Sequence, residues 1–343
     1  MKRILKNVIL RFADAVPNSI YRLLVPRQVI SFFYHMVAEK AVPHVQHLYP
    51  FRSAQLFEQD LIYLKQNFHV ISYDVLAEAL RGGKRLPPKA AFLSFDDGFS
   101  ECFSVARPLL LKHGLPCTFF VATDLMDNRK MDSLHQVSLC ISVLNSLERE
   151  ELTRTLSALS EACGVNLEHQ AAFSGWIKKV KDREVVSKVC ELLGVDIGNY
   201  LHTQKPYLSS EQILSMVREG FTIGAHSQSH QRLDSLSLEE IKKEIVSSCE
   251  VIRGLTNKTP VPFAFPYSAR GIERGFLSSL LDRTPEVGLL FDTGGLKADR
   301  GFIVNRIWVE SPKVNPAGQT SLQLILRRAY QTQLGLPEAS GFR

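Results

Sequence analysis

Two adjacent carboxylates and a spaced pair of histidines are the residues of this chain best suited to chemistry. Asp96 and Asp97 end an apolar run and are followed by Gly98, and His226 and His230 follow a second apolar run. Imidazoles four residues apart can face one point if their segment curls like a helical turn. Two neutral imidazoles and one carboxylate form a divalent-metal site with open positions, which leaves the second carboxylate free to take a proton.

Each feature also has a simpler structural explanation. Asp-Asp-Gly suits an ordinary turn, and the two histidines could be surface or capping residues. A third segment, Phe265-Pro266-Tyr267, is of a kind common in cores. Together the three segments favour chemistry, because the carboxyl ends of the strands of a parallel β/α barrel meet at one face. His35 also follows an apolar run and can reach that face, an ordinary strand-end histidine being the alternative.

Composition indicates a globular protein without a nucleic-acid partner. The chain has 343 residues, 45% apolar and 22% charged, with a formal net charge of +6. Basic residues form no run interleaved with aromatic residues, so we expect no nucleic-acid binding. The six cysteines are scattered singly, which favours free thiols in a reducing compartment, although spacing alone leaves disulfides open.

Strand-like and helix-like segments alternate along most of the chain. This order predicts a parallel sheet with helices outside it. The segment 124–205 breaks the rhythm with a helix-rich insertion, which could be a lid, a dimer surface or a wall that recognises a glycan. The pattern predicts strands at 29–34, 70–71, 90–95, 117–122, 221–225, 262–265 and 304–309, and helices at 53–68, 73–80, 103–113, 208–220, from Ser237 onward and at 319–334.

The N-terminal segment 1–28 is basic and partly apolar. The spacing of its apolar residues predicts an amphipathic helix, which could lie on an anionic membrane surface or pack on the domain. We predict no signal peptide and no membrane span, and therefore a cytoplasmic protein that could work at the inner face of the membrane. The apolar positions are Ile4, Leu5, Val8, Ile9 and Phe12.

The motifs resemble a known family. The residues at 94–99, Ser-Phe-Asp-Asp-Gly-Phe, together with His226-Ser-Gln-Ser-His230 and Phe265-Pro266-Tyr267, are similar to the first three motifs of the polysaccharide deacetylases. These are the NodB-homology proteins of carbohydrate esterase family 4. The likeness extends over roughly 29–309, apart from the insertion, and includes Tyr34-His35.

The resemblance implies a fold, a reaction and a set of roles. The fold is α/β, a distorted (β/α) barrel with a helical insertion. We expect the barrel to span 29–315 and a C-terminal helix and tail to follow it at 316–343. The reaction is metal-dependent hydrolysis of N- or O-acyl groups on sugars. One divalent ion is implied, zinc first, with cobalt, nickel or iron as alternatives. By motif, the implied roles are general base for Asp96, metal ligands for Asp97, His226 and His230, and substrate binding for Pro266 and Tyr267, whose backbone N–H helps hold the oxyanion.

The chain departs from the family pattern at two catalytic positions. The third motif usually carries an arginine that orients the base, but apolar residues such as Phe263 stand here. The usual catalytic acid is a late histidine, and no histidine follows His230. An amine leaving group still needs a proton, so His35 is our candidate acid, with a shuttling Asp96 as the alternative.

We therefore expect a carbohydrate N-deacetylase. Its substrate would be a glycan or a lipid-linked intermediate of surface polysaccharide biosynthesis. The alternatives are a deformylase or another C–N amide hydrolase acting on a sugar, and a barrel that binds metal and glycan with little or no turnover.

Overall fold

Parallel strands form a barrel that is almost closed. The computed structural model describes residues 13, 15–312 and 319–336. The strands are β1 Val29–Tyr34, β2 His69–Val70, β3 Ala90–Phe95, β4 Thr118–Val121, β5 Thr222–Ala225, β6 Val261–Ala264, β7 Val287–Asp292, β8 Ile303–Asn305 and β9 Ile307–Trp308.

Eight of these strands follow one another around the barrel in the order β8-β7-β6-β5-β4-β3-β1-β9, and β2 pairs with β3 beside this path. Every named pairing is parallel. The first and last strands of the path are separated in the chain only by Arg306, so the two edges of the sheet approach each other there. The predicted (β/α) barrel is confirmed.

Helices surround the barrel, and several begin with the side-chain caps that the sequence indicates. The capping boxes Ser209–Gln212 and Ser237–Glu240 are both formed. The helices are α1 Asn18–Leu24, α2 Ala54–Asn67, α3 Tyr73–Leu80, α4 Arg107–His113, α5 Ser133–Ser146, α6 Arg149–Cys163, α7 Gln170–Ile177, α8 Arg183–Leu192, α9 Ile197–Gln204, α10 Ser210–Arg218, α11 Leu238–Thr256, α12 Arg274–Arg283 and α13 Leu322–Gln333.

Alternation along the strands decides which side chains enter the barrel. The rings of Phe92, Phe120 and Phe291 meet inside it, with centroids 5.0 and 5.1 Å apart. Leu93 and Phe95 belong instead to the layer between the strands and the helices. Because side chains alternate along a strand, Asp96 falls on the interior side, two steps beyond Ser94 and four beyond Phe92.

The predicted insertion is present as five helices, α5 to α9. Buried apolar residues of α5 to α8, among them Leu144, Leu159 and Val189, form a core of their own. Tyr207, where the chain returns to the barrel, joins Leu139 and Leu201 of the insertion in a separate cluster. The insertion is thus a packed lobe attached to the barrel.

The sequence-based description of the last third of the chain is incomplete. The single strand expected at 304–309 is two short strands, β8 and β9, interrupted at Arg306. Helix α12 and strand β7 are absent from the prediction, because short apolar runs such as 287–291 do not by themselves distinguish a strand from a buried helical segment.

The predicted N-terminal amphipathic helix lies outside the described residues at its apolar positions Ile4 to Phe12. Within the described part of that segment, α1 packs against α13 and exposes Ile20, Leu23 and Leu24. None of the helices in the described part of the chain combines the length and the apolar character that a membrane span requires.

Candidate metal centre

One carboxylate and two imidazoles converge at the carboxyl end of the barrel. The Nε2 atoms of His226 and His230 lie 3.3 and 3.0 Å from the same oxygen, Oδ1 of Asp97. All three side chains are buried, and one ligand atom of each lies within 4.8 Å of the others. The two segments that the sequence analysis singled out, 130 positions apart, therefore share one site.

Backbone conformations that L-residues rarely adopt bring these groups together. Asp97, Ser227, His230 and Tyr267 all have positive φ angles, of 69°, 62°, 56° and 60°. Such strain is characteristic of functional sites and is maintained by the surrounding structure. Gly98, with φ +72°, leaves room where a Cβ atom would lie 3.0 Å from Val121, so the turn after Asp97 passes close beside β4.

A hydrogen bond on the far side of each imidazole fixes its tautomer. His226 Nδ1 donates to the carbonyl oxygen of Ala264 at 2.9 Å, and His230 Nδ1 donates to Oδ2 of Asp132 at 3.1 Å. Because Nδ1 carries the proton in each neutral ring, each Nε2 presents a lone pair toward Asp97. Metal-binding histidines are usually held by such a bond through their other nitrogen.

The residues therefore fit a divalent cation. Oδ1 of Asp97 is buried and has no hydrogen-bond donor of acceptable geometry, although both Nε2 atoms are near. A buried carboxylate oxygen without a donor is costly unless a cation takes the donor's place. Two imidazoles and one carboxylate are a donor set suited to zinc and to neighbouring transition metals.

The pKa values of Asp97 and His230 are shifted by the charged groups around them. Burial acts to raise the pKa of Asp97, but the close imidazoles of His230 and His226 outweigh it, so the pKa lies well below its usual value. Burial acts to lower the pKa of His230, but Asp97 and Asp132 on its two sides raise it well above the usual value. A positive charge between Asp97 and Asp132 is thus strongly favoured.

The second carboxylate, Asp96, turns to a different partner. Arg306 Nη1 and Nη2 donate to its two oxygens at 2.6 and 2.8 Å, and Nη1 also donates to Ser94 at 3.0 Å. The guanidinium is fully buried and lies over the ring of Phe33 at 4.4 Å. The planar, five-donor fork of arginine suits this bidentate contact and fixes the orientation of the carboxylate.

His35 forms a pair with a buried glutamate. Oε2 of Glu310 accepts from the backbone N–H of His35 at 2.7 Å and lies 2.8 Å from its Nδ1, and Oε1 accepts from the backbone N–H of Met36 at 2.9 Å. Burial acts to lower the pKa of His35, but Glu310 together with Asp97 and Asp96 raises it. With Nδ1 bonded to Glu310, Nε2 is the nitrogen left to act.

A cavity of about 760 Å³ joins these groups. Its lining includes all but one of the site residues that the sequence analysis proposed, and it also includes Trp308 and Arg306. The exception is Pro266, which is absent from the lining; its carbonyl accepts from the backbone N–H of Ser268 at 2.7 Å. The proposed residues in the lining are His35, Asp96, Asp97, His226, His230 and Tyr267.

Three functional partners were missed from the sequence. Arg306 is bonded to Asp96, Glu310 to His35, and Asp132 to His230. One signal was available: the sequence Asn305-Arg306-Ile307-Trp308-Val309-Glu310 places two charged residues among apolar ones. Charged residues are rarely buried unless they are paired.

Comparison with known proteins identifies the family. The family model described as polysaccharide deacetylase matches residues 83–273, more than half of the chain. A comparison with curated proteins found no match.

Among solved structures, a deacetylase of Streptococcus pyogenes in complex with acetate has a TM-score of 0.51 at 15% identity, over 84% of this chain and 95% of that one. A polysaccharide deacetylase from Bacillus cereus also has a TM-score of 0.51, at 14% identity, over 88% of this chain and 68% of that one. At these identities the likeness shows the fold.

Proposed function

Because the chain belongs to the polysaccharide deacetylase family, we propose that it is a metal-dependent hydrolase that removes an N-acetyl group from a sugar. The observation that carries this proposal is the separation of two adjacent carboxylates. Asp97 faces His226 and His230, whereas Asp96 faces Arg306. A barrel that only bound metal and glycan would have no use for the second, separately held carboxylate.

Asp97, His226 and His230 would hold the ion. A divalent ion bound there supplies Lewis acidity, which polarises the acyl carbonyl and eases deprotonation of water. We propose zinc, because two imidazoles and one carboxylate match its common catalytic donor sets, with cobalt, nickel and iron as alternatives.

Asp96 would act as the general base. Its carboxylate lies in the same cavity as the metal ligands and is held in one orientation by Arg306. It accepts the proton of the attacking water, and the fixed orientation removes the conformational search that a free carboxylate would require. Arg306 itself acts on Asp96 and is a positioning residue.

His35 would act as the general acid. Glu310 holds its Nδ1 and favours the protonated ring, so that Nε2–H can give its proton to the departing amine. This assignment supplies the acid that the missing late histidine leaves open.

The backbone N–H of Tyr267 would stabilise the oxyanion. The residue lines the cavity with a φ of 60°, and its N–H donates to no group among the described residues. A preorganised N–H aimed at developing charge is worth about 10²–10³ in kcat when it is lost from such a site.

We propose a lipid-linked or polymeric surface glycan, handled at the cytoplasmic face of a membrane, as the substrate. The cavity is larger than one sugar ring requires, and its lining includes the apolar residues Leu296, Ile325 and Ala329. Next to α13, helix α1 exposes three apolar side chains, Ile20, Leu23 and Leu24. An exposed apolar helix face suits a lipid surface. Liposome flotation of the wild type and of Leu23→Glu tests this placement, and equal binding would contradict it.

The first experiment measures bound metal and released acyl group together. We expect about one ion per chain and acetate release from a panel of N-acetylated sugars, Asp96→Asn keeping the ion and losing at least 10²-fold in rate, and His226→Ala losing both. Formate release in place of acetate would support the deformylase alternative. Bound metal without release of either acid would favour the binding barrel.

A further inference from the structure

The helical insertion contributes part of the wall of the catalytic cavity. Leu134 and His135, in the first turn of α5, and Lys178, which follows α7, line the same cavity as Asp96 and His35. None of these three residues belongs to the metal centre or to the acid and base pairs. The insertion therefore faces the place where the sugar must lie.

The hydrogen bond of His135 shows which of its ring nitrogens carries the proton. Its side chain is 2% exposed, and its Nδ1 lies 2.6 Å from the hydroxyl oxygen of Tyr207. That oxygen accepts the backbone N–H of Asp132 at 3.3 Å, and among the described residues the hydroxyl hydrogen of Tyr207 has no acceptor other than Nδ1, so the hydroxyl donates to Nδ1. The ring proton of His135 is then on Nε2, for which the described residues offer no partner.

Position and charge state make this Nε2–H a fixed, neutral donor. The ring packs between the rings of Phe99 and Tyr207, with centroids 5.0 and 5.8 Å away. Burial lowers the pKa of His135, and the nearby His230 and His35 add to this against the opposing charges of Asp132 and Asp97. Its orientation costs no further entropy when a ligand arrives.

We propose that the insertion is the sugar-recognition wall of the enzyme, with His135 Nε2–H donating a hydrogen bond to a hydroxyl oxygen of the sugar ring that carries the acyl group. This inference rests on the proposed function, because it assigns a substrate contact to the same cavity. A ligand that covers this N–H without offering an acceptor would leave the donor unpaired, so a ligand with an acceptor there is preferred over one without. The wall thus favours a ligand that places an acceptor, such as a sugar hydroxyl oxygen, against this N–H.

Two substitutions at His135 test the contributions of its two nitrogens separately. In His135→Asn the amide oxygen can still accept from Tyr207, but no donor reaches the position of Nε2. In His135→Gln the amide nitrogen reaches that position. His202→Asn, on the exposed face of α9 in the same insertion, is the matched control.

Each protein is assayed for metal content and with two acyl substrates. One is the N-acetylated sugar that the wild type hydrolyses fastest, and the other is 4-nitrophenyl acetate, which has an acyl group and no sugar hydroxyl. We expect His135→Asn to lose about tenfold more in kcat/KM on the sugar than on the ester, mainly through KM. His135→Gln should recover most of that difference, and the control should match the wild type.

The possible outcomes distinguish a failure of this inference from a failure of the proposed function. Equal losses on both substrates would show that His135 acts through the fold, and no loss on the sugar would show that it makes no contact; either result overturns the inference while the proposed function stands. A wild type that hydrolyses the ester and no sugar of the panel would overturn the proposed function, and the recognition wall with it.

Discussion

Arg306 and Asp96 form a bidentate ion pair inside the barrel, with nitrogen–oxygen distances of 2.6 and 2.8 Å. The arginine comes from the junction of β8 and β9, 210 positions after the aspartate. Three aromatic rings, those of Phe33, Phe120 and Phe291, surround the guanidinium within 5.8 Å. The carboxylate of the candidate base, Asp96, is thus oriented by a residue that is distant from it in the sequence.

Arg306→Met should impair both stability and catalysis. The substitution leaves the Asp96 carboxylate buried without its cation, which typically costs about 3–5 kcal/mol of unfolding free energy. It also releases the carboxylate from its fixed orientation, so acetate release should fall at least tenfold. Urea denaturation and an acetate assay measure the two effects.

The double variant Asp96→Asn/Arg306→Met is the control for this prediction. Removing both charges should restore most of the lost stability, because no unpaired ion remains, while activity stays absent. Stability that is no better in the double variant than in Arg306→Met would contradict the pairing.

Glu310→Gln should move the alkaline limb of the pH–rate profile to lower pH. Glu310 raises the pKa of His35, and an acid works only while it is protonated, so activity is lost as pH rises through that pKa. Removing the negative charge lowers the pKa, and the limb follows it. A pH profile of kcat/KM makes the comparison.

The same pair predicts the sign of a stability change. Because the pKa of His35 is raised in the folded state, its stabilisation is full below its unfolded pKa of about 6.5 and is lost as pH rises through the folded value. Glu310→Gln should therefore lose more stability at about pH 6 than well above the folded pKa. An unchanged alkaline limb would instead favour Asp96 as the group that returns the proton.

Asp132→Asn should weaken metal binding while leaving the three ligands in place. Asp132 accepts from His230 Nδ1 and, through its other oxygen, caps α5 at Leu134. Loss of such an outer partner typically costs about 10–100-fold in metal affinity. A chelator competition assay measures it, with Asp196→Asn, which alters the cap of α9, as the control. Equal metal affinity in the two variants would show that Asp132 does not support metal binding.

Gly98→Ala should lower the unfolding free energy more than Gly164→Ala. Both glycines have positive φ, of +72° and +65°, so both substitutions carry a backbone cost of about 1–2 kcal/mol. Only at Gly98 does the added Cβ meet a neighbour, Val121, at 3.0 Å; at Gly164 nothing lies within 4 Å. Denaturation midpoints of the two variants should differ, and identical midpoints would show that the turn after Asp97 can relax.

The convergence of Asp97, His226 and His230 and the early strands could be predicted from the sequence, because both depend on local patterns. Apolar runs that end in Asp96-Asp97 or are followed by His226 are visible without knowledge of the partners. The clearest failures concern pairing across the barrel. Parallel register between β9 and β1 brings Trp308 beside Phe33, and with it Arg306 and Glu310 to the site. No periodicity in the chain encodes which distant strand closes the barrel.

The insertion was predicted as helix-rich, but its contribution to the cavity was left open among three roles. Local spacing reveals the helices and their common core. It does not reveal that Asp132, the N-cap residue of α5, accepts a hydrogen bond from His230, so that the lobe and the candidate metal centre meet at the start of that helix.

Arg306 lies in the break between β8 and β9, where the two edges of the barrel sheet approach each other. Asp97, His226 and His230 follow β3 and β5, whereas Asp96 takes its bidentate partner from the place where the two edges of the sheet approach each other. The proposed base is therefore aligned only in the closed barrel, while the proposed metal ligands meet without any residue of β8 or β9.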